Sequence, residues 1–331
     1  MAQRFVFVFV KVNVVLNYSI IIPHRDIPQL LQRCLNSIAQ HPDLEVIVVD
    51  DNSNPDVVDF DHFPGMERSD TTVIFDKSGK GAGRARNVGL EHAKGKWLLF
   101  ADADDLYVDG MYDIISQWKD SDADVVYFKN QCVSSDDLTH SFSNMCSYND
   151  YIDTCIKEGD ERFVRLTYCV PWGKLYRRGF VERHDFRFDE VPYSNDVYFS
   201  FCTGYYARKI EVVDTILYVY TRRKESLSGT FCSKPGELAV RADVSFRIQK
   251  QLKNLQIDFD FPHSFSWYLL KLLKQDKLLF RYYWRRVDEA YPSKYTAFQI
   301  LSKGKGRKFK VKLALYSLWI WLRPLSHFKR A

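Results

Sequence analysis

Several features that would settle a class at once are missing from this chain of 331 residues. Its seven cysteines (Cys34, Cys132, Cys146, Cys155, Cys169, Cys202, Cys232) are odd in number and form no Cys-x-x-Cys pair. They read as buried or reduced thiols of a cytosolic protein, not as a disulfide frame or a zinc site. The eight histidines have no ligand-like spacing either. No apolar run is long enough to cross a bilayer. Phe5 to Val10 is apolar but stops at Lys11, and no small-residue cleavage pattern follows, which argues against a secretory signal. Residues 1–17 read as an N-terminal extension, as residues upstream of the true start, or as an edge strand. A third glycine is also absent: Gly81-x-Gly83 leads to Arg86 where a dinucleotide fingerprint needs one, so that site is not expected.

What is present is an aromatic-rich globular composition without low-complexity tracts. The length suits one large α/β domain with an appendage, or two modest domains. Charge is unevenly divided. Residues 231–331 hold 21 Lys and Arg against 7 Asp and Glu, a net of +14, while the first 230 carry −9. An acidic body with a basic tail suggests two jobs, the tail facing an anionic surface.

Tyr18 to Ile22 reads as a buried β-branched strand ended by Pro23, and Asp26-Ile-Pro opens a helix with Leu30, Leu31, Cys34, Leu35 and Ile38 at helical spacing. Glu45 to Val49 is a second strand, ending in Asp50 and Asp51, and Thr71 to Phe75 a third. The loop SGKGAGRARN, Ser78 to Asn87, offers backbone free to approach a ligand, with Arg84 and Arg86 as forks for phosphate or a base edge. Its helix leads into Lys94 to Asp105, KGKWLLFADADD: a buried strand ending in Asp102, Asp104 and Asp105. Alone, this cluster fits either a solvated acidic loop or a site for a hard cation such as Mg²⁺ or Mn²⁺. Strands alternating with helices, two of them ending in Asp pairs, predict a mostly parallel sheet with carboxylates along one edge.

Further on, a helix is expected from Tyr107 to about Lys119, a strand over Asp124 to Lys129, a polar irregular insertion over 130–165, and a strand over Ile216 to Tyr220. Asp196 opens an apolar helix, where it reads as a cap or a functional carboxylate. Beyond residue 231 helices follow, one over Leu238 to Leu255 and one over Phe265 to Arg285. The basic run Lys303 to Lys312 then leads into ten apolar residues containing Trp319 and Trp321. These fit an interfacial helix on an anionic leaflet, or a helix packed on the body.

Taken in order, Tyr18-SIIIPHRD, Val48-VDDNSN, Gly81-AGRARNVGL, Gly95-KWLLFADADD, Trp172-GKLYRR and Ser194-NDVYF resemble family 2 glycosyltransferases of GT-A fold, of the bacterial surface-polysaccharide type, over residues 18–225. The resemblance implies a Rossmann-like mostly parallel sheet flanked by helices: an extension over 1–17, a catalytic domain over 18–230 whose nucleotide-binding half ends at 105, and a helical basic region over 231–331. It implies that Pro23, Arg25 and Asp51 hold base and ribose, that Arg86 lies over the nucleotide, and that Asp102 and Asp104 are the Asp-x-Asp pair. Asp104 and Asp102, supported by Asp105, would serve Mn²⁺ or Mg²⁺, Asp196 would be the general base, and Trp172 and Lys174 would lie on the acceptor side.

The implied activity is inverting transfer from a nucleotide sugar, a UDP-sugar first, to a lipid-linked or oligosaccharide acceptor. The implied place is the cytoplasm, peripheral on the inner face of the cell membrane, with no nucleic acid among the partners. Two alternatives remain: a non-catalytic nucleotide-sugar-binding module, and a nucleotidyltransferase acting on a sugar phosphate. Asn195 stands where relatives usually carry Glu, and Asp26 where they carry Asn. The Gln-x-x-Arg-Trp motif of processive synthases is absent, which favours addition of a single sugar.

Overall fold

The structure, a computed structural model, describes residues 15–142, 147–223, 236–259 and 264–322. The extension before Val15, the basic loop beyond Arg223, the residues after 322 and the side chains of Trp319 and Trp321 lie outside the described residues. In chain order the first half contains β1 (Tyr18–His24), α1 (Pro28–Asn36), β2 (Leu44–Asp51), β3 (Thr71–Asp76), α2 (Ala82–His92) and β4 (Trp97–Phe100). Next come β5 (Leu106–Tyr107), α3 (Met111–Ser116), β6 (Val125–Ser134), α4 (Ser147–Glu158), α5 (Arg162–Thr167), β7 (Lys174–Arg177), α6 (Arg178–Arg183), α7 (Val197–Tyr206) and β8 (Ile210–Arg222). The chain continues through α8 (Glu237–Asn254), α9 (Phe265–Gln275), α10 (Lys277–Arg285), α11 (Val287–Ala290), α12 (Lys294–Ser302) and α13 (Arg307–Leu322).

The eight strands form one sheet in the order β3-β2-β1-β4-β7-β6-β8-β5. Pairings β3–β2, β2–β1, β1–β4 and β6–β8 are parallel; β4–β7, β7–β6 and β8–β5 are antiparallel. Both faces of the sheet are covered. Ile20 and Ile22 of β1 pack with Leu31, Cys34 and Leu35 of α1, while Ile21 packs with Ala85 and Val88 of α2 on the opposite face. A strand buried on both sides explains why YSIII reads as a continuous apolar run instead of an alternating one.

Several boundaries differ from expectation, each for a visible reason. β1 runs through Pro23 to His24 because β4 pairs with it only as far as Ile21, so the missing Pro N–H costs no ladder bond on that side. Tyr107 lies in β5 opposite Tyr218, and the helix starts only after Gly110, whose φ is 74°. Among its described residues, the stretch 130–165 is not an irregular insertion. β6 continues to Ser134, and α4 is tied to it by Asn149, whose Oδ1 accepts from the Asn130 N–H (2.9 Å) and whose Nδ2 donates to the Asn130 carbonyl (2.8 Å). The side-chain amide thus stands in for a neighbouring strand. The helix expected over Phe265 to Arg285 breaks at Asp276, whose carboxylate accepts from the Leu279 N–H (2.9 Å) and caps α10.

The C-terminal helices have their own apolar core, and α8 joins it to the rest by packing Val244, Ile248 and Leu252 against Phe201 and Cys202 of α7. Leu313 and Ile320 of α13 enter that core, whereas Val311, Leu315 and Leu318 are 51%, 63% and 56% exposed. One face of this helix therefore packs on the body, and the other carries apolar side chains to the surface. Among the described residues no helix is long and apolar enough to cross a membrane.

Candidate active site

The parallel strands β1, β2 and β4 point their C-terminal ends to one edge of the sheet, which brings Pro23, Asp51 and Asp102 together. Side chains clip the loops that leave this edge. Ile27 N–H donates to His24 Nε2 (3.2 Å), so the ring proton sits on Nδ1 and is donated to Asp50 (2.9 Å). Asp50 also accepts from the Ser53 N–H (3.0 Å), and Asp26 accepts from the Asn54 N–H (2.7 Å). Asp26, the departure from the usual Asn, is thus a clip between two loops. Asp26 and Asn52 both carry left-handed backbone, φ 57° and 54°.

Asp51 is 2% exposed, and its two oxygens share one N–H, that of Gly81, at 3.0 Å each. Arg25 reaches it at 3.5 Å. Burial pushes the Asp51 carboxyl up, and the Gly81 N–H and Arg25 pull against it. The carboxylate keeps lone pairs free for a further donor.

At the centre lies Arg86, nearly buried on α2. One of its nitrogens donates to Asp102 Oδ1 (2.5 Å) and another to Asn195 Oδ1 (2.7 Å), while its Nε has no partner among the described residues. A single guanidinium thus joins the end of β4 to the residue before Asp196. Asp196 stands at the N-terminus of α7, yet its side chain caps no helix N–H. Burial raises its pKa; Asp102 adds to this, and Arg86 and Lys174 oppose it. Ser194, two residues earlier, has φ 55°. The segment before it is wedged against α2, where the Asp189 carbonyl lies 2.0 Å from where a Cβ on Gly83 would stand.

The three carboxylates after β4 have three different settings. Asp102 is a third exposed and faces Arg86. Asp104 pairs with Arg223, whose Nε and a terminal nitrogen both meet Oδ2, at 3.1 and 2.9 Å. Burial and the neighbouring Asp102 raise its pKa, against the pull of Arg223. Asp105, placed by the sequence with the metal ligands, is 1% exposed and accepts from Tyr218 Oη (2.8 Å) and the Thr221 N–H (2.6 Å). Both its oxygens accept from β8, so it anchors the loop to that strand.

Tyr218 Oη also accepts from the Asp102 N–H (2.9 Å), and the Asp104 carbonyl accepts from Arg33 (2.8 Å) and Thr221 Oγ1 (2.6 Å). Sequence reasoning misses Arg33, Tyr218, Thr221 and Arg223, because only the folded sheet brings α1 and β8 to this loop. For Arg223 the one signal is its place in a basic run. Among the described residues no three His, Cys, Asp or Glu side chains form a ready metal cage. Asp104 and Asp102 nonetheless fit a divalent ion. A positive group already sits on Asp104, and Mg²⁺-type ions take one or two carboxylates and complete their shell with water and phosphate oxygens.

Lys174 corrects another expectation. It is 1% exposed, donates to the Tyr168 carbonyl (2.6 Å), and lies 4.4 to 5.8 Å from the ring centres of Tyr127, Tyr168 and Tyr176. Burial pushes its pKa down to about 7. Its ammonium is thus enclosed by protein groups and does not present itself at the surface. Trp172 is 6% exposed and stacks on Tyr218 (4.9 Å between ring centres) and Tyr220 (5.8 Å), so it packs on β8 beside the tyrosine that holds Asp105.

The sequence pattern of glycosyl transferase family 2 matches residues 19–185, half of the chain. The chain belongs to this family. Relatives include EpsH of Bacillus subtilis, 26% identical over 57% of this chain and 56% of EpsH. Glycosyltransferase GlyG of Streptococcus pneumoniae is 26% identical over 64% of this chain and 73% of its own. The match thus spans little more than half the length of EpsH. Among solved structures, residues 1–349 of Staphylococcus aureus TarS in complex with UDP-GlcNAc align with a TM-score of 0.60 at 18% identity, covering 92% of this chain and 88% of that one. A likeness at that identity speaks for the fold, and the GT-A expectation holds: a mixed α/β sheet flanked by helices, with a helical C-terminal region.

Proposed function

We propose that the protein is a metal-dependent, inverting glycosyltransferase that moves a sugar from a nucleotide sugar, a UDP-sugar first, to a lipid-linked or oligosaccharide acceptor in cell-surface polysaccharide synthesis. The observation that carries this reading is Arg86, which links Asp102 of the Asp-x-Asp stretch to Asn195 beside Asp196. Asp102 and the residue beside Asp196 are thus held by one guanidinium, which supports placing donor and acceptor groups next to each other. The UDP-GlcNAc complex of TarS, with its similar fold, supports a UDP-sugar as the first donor to try.

In this reading Asp51 and Arg25, at the ends of β2 and β1, take the base and ribose, with the Pro23 backbone as the floor. Asp104 and Asp102 would hold Mn²⁺ or Mg²⁺, which when bound offsets charge on the diphosphate leaving group. Arg86, with its unpartnered Nε, covers the nucleotide from the other side. Asp196 takes the proton of the acceptor hydroxyl as that oxygen attacks the anomeric carbon. A carboxylate at a helix start that caps nothing, with a raised pKa, is suited to that work. One displacement with one base gives inversion.

An anionic membrane surface is the proposed place of work. Lys303, Lys305, Arg307, Lys308, Lys310 and Lys312 are all exposed, on and just before the helix that exposes Val311, Leu315 and Leu318.

The test is a screen of nucleotide sugars with Mn²⁺, read by mass spectrometry. Nucleoside diphosphate and a glycosylated acceptor or free sugar are expected, with the signal lost in Asp104→Ala. Asp196→Asn should lose transfer and keep nucleotide binding. Binding without turnover of any donor would favour a non-catalytic module, and release of pyrophosphate would favour nucleotidyl transfer.

A further inference from the structure

Arg223 has no role in the reading above, yet its side chain lies on the most important carboxylate of the site. Its Nε and a terminal nitrogen both converge on Asp104 Oδ2, at 3.1 and 2.9 Å. The rest of Asp104 is fixed. Its carbonyl accepts from Arg33 and from Thr221 Oγ1, and Thr221 is in turn tied to Asp105. Arg223 is the second residue after Thr221 and the first beyond the end of β8. The pinned strand therefore stops just short of it, and its side chain is about a third exposed. Of the two partners, Asp104 is the one held through its own backbone, whereas Arg223 meets it through a partly exposed side chain.

A guanidinium that fills Oδ2 and a divalent ion coordinated there exclude each other. Metal coordination needs the oxygen at about 2.1 Å, and two cations held on one oxygen repel strongly in a partly buried site. When the ion arrives with a nucleoside diphosphate, the displaced fork has phosphate oxygens beside it, a partner it matches well. We infer that Arg223 is the counter-ion of the donor-free site, holding Asp104 until a divalent ion and a nucleoside diphosphate arrive together, and then binding the diphosphate. This rests on the proposed donor site and adds to it a condition: the ion alone must compete with Arg223, whereas the ion with its nucleotide gives Arg223 a new partner. Ion and nucleotide therefore bind cooperatively, and Arg223 is a source of that coupling.

The experiment measures Mn²⁺ binding to the full chain by EPR or calorimetry, alone and with saturating UDP, for wild type, Arg223→Gln and Arg223→Lys. In the wild type Mn²⁺ alone is expected to bind weakly, and UDP to tighten it by about tenfold or more. In Arg223→Gln, Mn²⁺ alone should bind several-fold tighter, UDP should bind more weakly, and most of the coupling should vanish. Arg223→Lys, which keeps the charge without the fork, should fall between. Equal or weaker Mn²⁺ affinity in Arg223→Gln, with UDP binding and folding intact by circular dichroism, overturns the inference and leaves the proposed donor site standing. Failure of all three proteins to bind Mn²⁺ with or without UDP overturns both.

Discussion

Lys174 offers the sharpest physical test. Its ammonium is buried among three tyrosine rings with the Tyr168 carbonyl as its hydrogen-bond acceptor, and burial pushes its pKa from 10.5 to about 7. A lysine with a depressed pKa binds its proton more tightly in the unfolded chain than in the folded one. Between pH 7 and 10.5 the unfolded state therefore carries a proton that the folded state has lost, and stability rises with pH across that window. At 1.36 kcal/mol per unit the whole window is worth about 5 kcal/mol, and the span from pH 7 to pH 9 about 2 kcal/mol. Lys174→Met removes this slope. The thioether fills the stem of the lysine and leaves the Tyr168 carbonyl without its donor, a cost of about 1–3 kcal/mol that does not depend on pH. Urea unfolding of both proteins at half-unit steps from pH 7 to 9 separates the two effects. Differencing the curves removes the ionisation of unfolded cysteines, which is common to both. The wild type should gain about 2 kcal/mol on the variant between pH 7 and 9. Parallel curves would mean that Lys174 titrates alike in both states, and the reasoning would fail.

The same lysine lowers the pKa of Asp196, which burial and Asp102 raise. Since the proposed base would work ionised, kcat/KM should fall on the acid side at a higher pH than an unperturbed carboxylate would give, and Lys174→Met should move that limb higher still; a pH–rate profile checks both. Gly83→Ala would set a Cβ 2.0 Å from the Asp189 carbonyl, so α2 and the segment before Asp196 must part, at about 1–3 kcal/mol or more in thermal or urea unfolding, with loss of transfer. Deleting the tail from residue 303 is a poor test of membrane binding, because Leu313 and Ile320 are in the helical core. The double change Leu315→Glu and Leu318→Glu on the exposed face should leave the melting temperature within a few degrees and release the protein from anionic vesicles in sedimentation; unchanged binding would exclude that face.

Much of the strand edge proposed for the donor was legible because strand ends are written locally. A β-branched run followed by carboxylates places Asp51 and Asp102 at an edge, and parallel order brings the edges together. The different settings of Asp104 and Asp105 were not legible, since they arise from β8 and the residue after it, more than a hundred residues away. The pairing of Leu106 and Tyr107 with β8 brings Tyr218 and Thr221 onto Asp105 and Arg223 onto Asp104. Lys174 misled for a related reason. The resemblance puts it on the acceptor side, but Gly173 carries a turn, with φ 68°, and Lys174 already belongs to a buried strand between β4 and β6.

The division into an acidic body and a basic tail also needs revision, because the two meet at the segment that carries the proposed base. Arg247 of α8 forks onto Asp189, with one nitrogen at 3.1 Å from Oδ1. The Asp189 N–H donates to the Asn195 carbonyl at 2.9 Å. Arg241, one turn and a half earlier on α8, donates to Ser194 Oγ at 3.0 Å and lies 5.6 Å from the Tyr193 ring. Left-handed backbone at Ser194 costs on the order of 1–3 kcal/mol and persists only where its surroundings hold it, and α8 supplies such a hold from outside the sheet. Some of the positive charge of the C-terminal region is therefore spent internally, on shaping the Asp189 to Asp196 segment. The charge left for an anionic surface is concentrated at the far end, in Lys303 to Lys312. The C-terminal helices thus connect a basic face at one end to the bracing of Asp196 at the other.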